Sequence, residues 1–128
     1  MDGSSDLIIT PNFNGVPCLE ELVLAWCSNL RELHPSIGKL KKLKLLHLGW
    51  CQELSSLPGK FEMESLVILN LTYCLKVRKI PEFVGNMERL EELLLEGSAI
   101  IELPSSVECL IGLNILILRY CKKISASS

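Results

Sequence analysis

The sequence predicts an α/β solenoid, with a parallel sheet along one side and short 3-10 or helical turns along the other. Three observations predict it. Leucines recur as LxxLxL from Leu19, Leu43, Leu66, Leu90 and Leu113. The steps between these starts are 24, 23, 24 and 23 residues, and a fixed period in this range marks a chain built from repeats. Within a repeat, LxL alternation puts two leucines on one side of a short strand, while the second half carries apolar residues at three-residue steps that suit a single helical turn.

Taken in order, residues 1–6 are polar and are expected to form a flexible N-terminal segment. Residues 7–18 read as the second half of an incomplete repeat, with Ile9 and Phe13 placed as Leu33 and Ile37 are before the next start. Full repeats follow at 19–42, 43–65, 66–89 and 90–112, a partial one at 113–124, and a tail at 125–128. The inward set of the first full repeat is Leu22, Leu24, Cys27, Leu30, Leu33, Ile37 and Leu40. The third repeats it with Leu69, Leu71, Cys74, Val77, Ile80, Val84 and Met87, and the fourth with Leu93, Leu95, Ser98, Ile100, Leu103, Val107 and Leu110. The fifth starts with Leu116, Leu118, Cys121 and Ile124. Repeat two is one residue short after Phe61, and repeat four one short between Ser98 and Ile100. Pro58, Pro81 and Pro104 are expected to end strand pairing where they occur, and Gly38, Gly85 and Gly112 to loosen the turns. Neither end shows a polar cap, so the chain reads as a segment of a longer array.

One repeat cannot bury its leucines alone. Each buried leucine stabilises by roughly 1.5–3 kcal/mol, against roughly 1–2 kcal/mol of backbone ordering per residue. The balance turns favourable only when several repeats stack.

Apolar residues are 48% of the 128, aromatics 5%, and the net charge is −2. The core is therefore aliphatic, and the overall field gives no reason to expect nucleic acid or an anionic membrane as partner. No apolar run approaches the ~20 residues that span a bilayer, and the first twelve residues lack the basic and apolar regions of an export signal. Of six cysteines, Cys27, Cys51, Cys74 and Cys121 share one repeat position, with Ser98 there in the fourth repeat. Buried, reduced thiols are expected rather than a disulfide framework. His34 and His47 have no ligand spacing for a metal, no cofactor motif is present, and no residues make a catalytic constellation. Lys39, Lys41, Lys42 and Lys44 read as a solvated edge balanced by Glu53, Glu62 and Glu64. The sequon Asn70-Leu71-Thr72 lacks the export context that glycosylation needs.

The residues between the leucines point outward and form columns. The residue before each cysteine position gives Trp26, Trp50, Tyr73, Gly97 and Tyr120, which include every Trp and Tyr of the chain. Beside them run Val23, His47, Asn70, Leu94 and Ile117, then Ala25, Gly49, Thr72, Glu96 and Arg119. Trp and Tyr combine large contact area with a polar tip and favour interfaces. The candidate protein-binding face is therefore Trp26, Trp50, Tyr73, Tyr120, Val23, His47, Asn70, Leu94, Ile117, Glu96 and Arg119. The competing reading is that the aromatics pack on one another and seal the loops beside the cysteines.

The full pattern, LxxLxLxxCxxLxxLPxxIgxLxx, is similar to leucine-rich repeats of the plant kind over residues 7–124. The stretches FEMESLVILNL, IPEFVGNMERLEEL and GSAIIELPSSVECLIGL resemble the leucine-rich region of plant intracellular disease-resistance receptors. The nearest resemblance is to the class that also carries a Toll/interleukin-receptor-like domain and a nucleotide-binding domain. The resemblance implies a right-handed horseshoe arc with its sheet on the concave face. It also implies a non-enzymatic protein-binding role in the cytoplasm, or the nucleus as well: recognition of a pathogen effector or a guarded host protein, and restraint of the receptor's own nucleotide-binding domain. No GxxxxGK[ST] loop is present to bind a nucleotide here, and no small-molecule substrate is implied. The alternative is a stand-alone intracellular scaffold resembling the Ras-suppressor group, which shares LPxxI but has a more even period and usually Asn at the Cys position. An F-box-type substrate-recognition domain and a secreted receptor ectodomain fit less well, because ITDxGL and LxGxIP motifs are absent.

Overall fold

A computed structural model describes residues 7–121. The expected flexible segment 1–6, the end of the partial repeat including Ile124, and the tail lie outside these residues. Each LxxLxL motif supplies one three-residue strand: β1 Glu21–Val23, β2 Leu45–His47, β4 Ile68–Asn70, β6 Glu92–Leu94 and β7 Ile115–Ile117. They form one parallel five-stranded sheet in the order β1-β2-β4-β6-β7. The register equates Leu22, Leu46, Leu69, Leu93 and Leu116, so each strand pairs with the one a repeat away. The chain thus has mostly parallel strands and few helices, the short ones being 3-10 turns at Phe13–Gly15, Pro35–Lys39 and Ser105–Cys109.

The core lies behind this sheet. Leu46, Leu69 and Leu93, Leu48, Leu71 and Leu95, and Cys27, Cys51 and Cys74 are all fully buried. Burial fades toward both edges. Leu22, Leu103, Val107, Leu113 and Leu118 are half-buried and Leu116 is 38% exposed, because the outermost strands have a neighbour on one side only.

The second halves depart from the expected turns. β3 Lys60–Phe61 and β5 Glu82–Phe83 form a second, two-stranded parallel sheet in place of a helical turn. Pro58 and Pro81 do not end pairing, whereas Pro104 leads into the Ser105–Cys109 turn. Proline lacks only its own N–H, and the donors here lie beyond it: Glu82 N–H to the Gly59 carbonyl at 3.0 Å and Val84 N–H to Phe61 at 2.9 Å. In β5 the alternation of an extended strand turns Phe83 inward and leaves Val84, expected in the core, half-buried. Serine hydroxyls tie successive repeats together on this side: Ser36 Oγ accepts the Phe13 N–H at 2.7 Å and Ser106 Oγ the Phe83 N–H at 2.9 Å.

Gly38 and Gly112 do not loosen their turns. A Cβ at either would collide with a backbone oxygen of the neighbouring repeat, Lys60 or Glu88, so these glycines permit close approach. The lysine edge is balanced differently from expectation. Lys41 pairs with Glu62 at 3.2 Å, but Lys44 pairs backward with Glu20 at 3.3 Å, and Glu53 pairs with Lys76 at 2.9 Å.

Candidate protein-binding face

The outward positions of the strands are half-exposed while the middle leucines are buried, as in Leu45-Leu46-His47 and Ile68-Leu69-Asn70. The strand register therefore sets Val23, His47, Asn70, Leu94 and Ile117 side by side. Two of these also shape the backbone. His47 Nδ1 accepts the Gly49 N–H at 3.1 Å, and Asn70 Oδ1 accepts the Thr72 N–H at 2.9 Å. One polar atom of each is thus committed to the turn, and the rest of each side chain stays on the face. His34, on the far side, likewise caps the Pro35–Lys39 turn through Nδ1.

Each strand leads into a turn closed by the N–H of the cysteine or serine on the third leucine's carbonyl, from Cys27 to Leu24 at 3.3 Å through Cys121 to Leu118 at 3.2 Å. The residue before it takes a left-handed conformation in every repeat: φ is 66° at Trp26, 63° at Trp50, 53° at Tyr73, 71° at Gly97 and 62° at Tyr120. For bulky residues this region is an outlier. In four of the five the parallel ladder holds it, the N–H groups of Trp26, Trp50, Tyr73 and Gly97 bonding to Gly49, Thr72, Glu96 and Arg119 of the next repeat at 2.6–2.9 Å, and Tyr120, past the last described strand, takes the same conformation. The sequence reading missed this backbone state. Gly97 in the aromatic column was the one signal for it.

The turn points the rings along the sheet. Trp26 and Trp50 stack with centroids 4.9 Å apart and planes 2° apart, and Trp50 stacks on Tyr73 at 4.4 Å and 18°. Trp50 and Tyr73 are half-buried, while Trp26 is 56% exposed. The column then breaks. Tyr73 lies over Gly97, where a Cβ would strike its ring. Tyr120 stands apart at 66% exposed, with the Arg119 guanidinium 5.4 Å from its centroid. Glu96 is half-buried and Arg119 exposed beside these rings. The structure thus joins Trp26, Trp50 and Tyr73 into one surface and leaves Tyr120 separate.

Behind the rings the thiols form their own ladder. Cys51 Sγ donates to the Leu24 carbonyl at 3.0 Å, Cys74 Sγ to Leu48 at 3.0 Å and Cys121 Sγ to Leu95 at 3.1 Å. Ser98 breaks the rule and bonds Leu95 of its own repeat at 2.8 Å. All are free thiols. Burial pushes Cys51 up to about 11 and Cys74 up to about 12, so both are protonated and unreactive near neutral pH.

Comparison with known proteins gives a coherent set of relatives. The chain is 41% identical to the TMV resistance protein N of Nicotiana glutinosa over 104 residues, which is 81% of this chain and 9% of that protein. It is 36% identical to disease resistance protein RPP2A of Arabidopsis thaliana over 83% of this chain and 8% of that protein. It is also 33% identical to the Arabidopsis protein SUPPRESSOR OF npr1-1, CONSTITUTIVE 1 over 87% of this chain and 8% of that protein. Its homologues are therefore plant disease-resistance proteins, and the chain spans about a tenth of their length. No family model and no solved structure matches it.

Proposed function

We propose that this chain is part of the leucine-rich repeat solenoid of a plant immune receptor of the Toll-like, nucleotide-binding class, and that it works by binding protein rather than by catalysis. In this reading the five-stranded sheet lines the concave side of a right-handed arc in the cytoplasm, with the nucleus as a second compartment. Its outward residues meet a pathogen effector, a guarded host protein or the receptor's own nucleotide-binding domain.

The observation that carries the reading is the stack of Trp26, Trp50 and Tyr73, displayed on the sheet side in a backbone state that bulky residues avoid. A strained arrangement at a surface suggests function when it is observed directly, and stacked aromatics flanked by Val23, Leu94 and Ile117 supply rigid contact area. The relatives' defence role supports the receptor context.

The test places Leu94→Arg and Ile117→Arg together in the full-length receptor. These side chains are only half-buried, so the receptor is expected to accumulate normally. It should either lose its pathogen-triggered response or respond without a pathogen, according to whether recognition or restraint is broken. A variant that accumulates, stays silent at rest and responds as the wild type does would overturn the proposal.

A further inference from the structure

A second surface lies in the segments that follow the cysteines, and it arises from two irregularities. Along this flank the backbone forms a ladder of parallel bridges from Ile9 to Glu32 to Ser56. Ser55 and Ser56 donate to Arg31 at 3.0 and 3.1 Å, and Leu33 donates to Ser56 at 3.1 Å. By the repeat, Arg78 and Lys79 should donate to Ser55 next. Among the described residues no such bond forms, and pairing between these two repeats resumes only from Glu82 to Gly59. In addition, repeat four is one residue short between Ser98 and Ile100, so Ala99 alone stands opposite the longer loop of repeat three. A cleft of about 820 Å³ opens at this place.

Its walls are of two kinds. Leu75 and Ile101 are 48% and 47% exposed, and Leu57 is half-buried beside them. Lys76 is already engaged by Glu53, whose carboxyl it holds below the usual carboxylate range. Arg78 and Lys79 line the same cleft, and among the described residues neither is in an ion pair. Two cations without counter-ions next to exposed aliphatic side chains ask for a ligand that is both anionic and apolar. Nucleic acid meets only the first need, and the overall charge of −2 works against it.

We propose that this cleft takes a short acidic peptide segment bearing an aliphatic residue, with carboxylates on Arg78 and Lys79 and the aliphatic side chain on Leu75 and Ile101. The guanidinium of Arg78 fits a carboxylate in two-point fashion, and the aliphatic contact removes exposed apolar surface from water. This surface is separate from the aromatic column, so the proposal stands or falls independently of the function proposed above.

Fluorescence polarisation of a fluorescein-labelled Glu-Asp-Leu-Glu-Asp peptide, titrated with the 128-residue chain, tests it. Arg78→Gln with Lys79→Gln should weaken binding at least about tenfold, with Lys79→Ala alone giving about threefold. Both sets of side chains are exposed, and an unchanged melting curve checks the fold. Leu75→Ser should weaken binding about threefold, raising salt from about 50 to about 300 mM should weaken it further, and Lys42→Gln, which removes an exposed cation outside the cleft, should leave it unchanged. The proposal is overturned by any of four results: no binding at about millimolar peptide, equal binding by the Gln variant, equal binding by inorganic polyphosphate, or equal binding by a peptide with Ser in place of Leu.

Discussion

The first three repeats and the last two carry the same strand pairing but finish their turns differently. In the first three, the left-handed position holds Trp26, Trp50 and Tyr73, stacked in sequence over fully buried Cys27, Cys51 and Cys74. In the last two it holds Gly97 and Tyr120, with Ser98 bonded within its own repeat and Cys121 half-buried. The left-handed state is common to both regions, and the ladder of backbone bonds holds it at Gly97 as it does at the three aromatics. The side chain placed there is therefore free to vary, and glycine alone occupies it without strain. The aromatics are consequently not required by the turn. What they add is a continuous ring surface, and that surface ends where glycine begins.

The largest contrast concerns burial. Leu69→Ala, in the fully buried centre of the sheet, should destabilise by about 3 kcal/mol, whereas Leu116→Ala, on the exposed last strand, should cost less than about 1 kcal/mol. Denaturant unfolding of both variants makes the comparison, and equal losses would mean that the two regions are equally packed. Next is the boundary itself. Gly97→Ala combines left-handed strain with a collision against the Tyr73 ring and should cost about 2 kcal/mol. Gly59→Ala, with nothing within 4 Å of the added carbon, should stay within about 0.5 kcal/mol.

Within the stack, Trp50 touches two rings and Tyr120 none. Trp50→Ala should cost about 1.5 kcal/mol and Tyr120→Ala less than about 0.5 kcal/mol. Trp50→Gly should recover about 1 kcal/mol of the loss by relieving the backbone, which thermal unfolding of the three variants will read. The smallest effect is the dependence on pH. In the unfolded chain a thiol ionises near pH 8.5, while Cys51 and Cys74 stay protonated to about 11 and about 12 because burial disfavours the thiolate. Their contribution is fully present below about pH 8.5 and is lost as the pH rises through the folded-state values. The fall in melting temperature from pH 8 to 11 should therefore shrink in Cys51→Ala with Cys74→Ala and persist in Cys121→Ala.

Much of this was legible in the sequence. LxxLxL fixes strand position and register because a one-residue slip would turn every leucine outward, and the cysteine column follows from its place behind the turn. Three features were not legible. The sign of φ leaves no periodic trace, and Trp and Tyr at positive φ contradict their own preference, so only Gly97 hinted at it. Two-residue strands are too short to show alternation, so β3 and β5 were hidden and Phe83 was passed over for Val84. The cleft by Arg78 depends on hydrogen bonds that the repeat implies and that do not form among the described residues, which no residue pattern records.

The central claim is that the aromatic column serves recognition rather than folding. Replacing Trp26, Trp50 and Tyr73 together by Gly, the residue already used at position 97, tests it most directly when melting of the chain and the response of the full-length receptor are measured side by side. The account predicts that relief of left-handed strain offsets most of the lost stacking. Melting then shifts by only a few degrees while the pathogen-triggered response is lost. A collapse of the melting transition, or a full response from a well-folded triple variant, would contradict it.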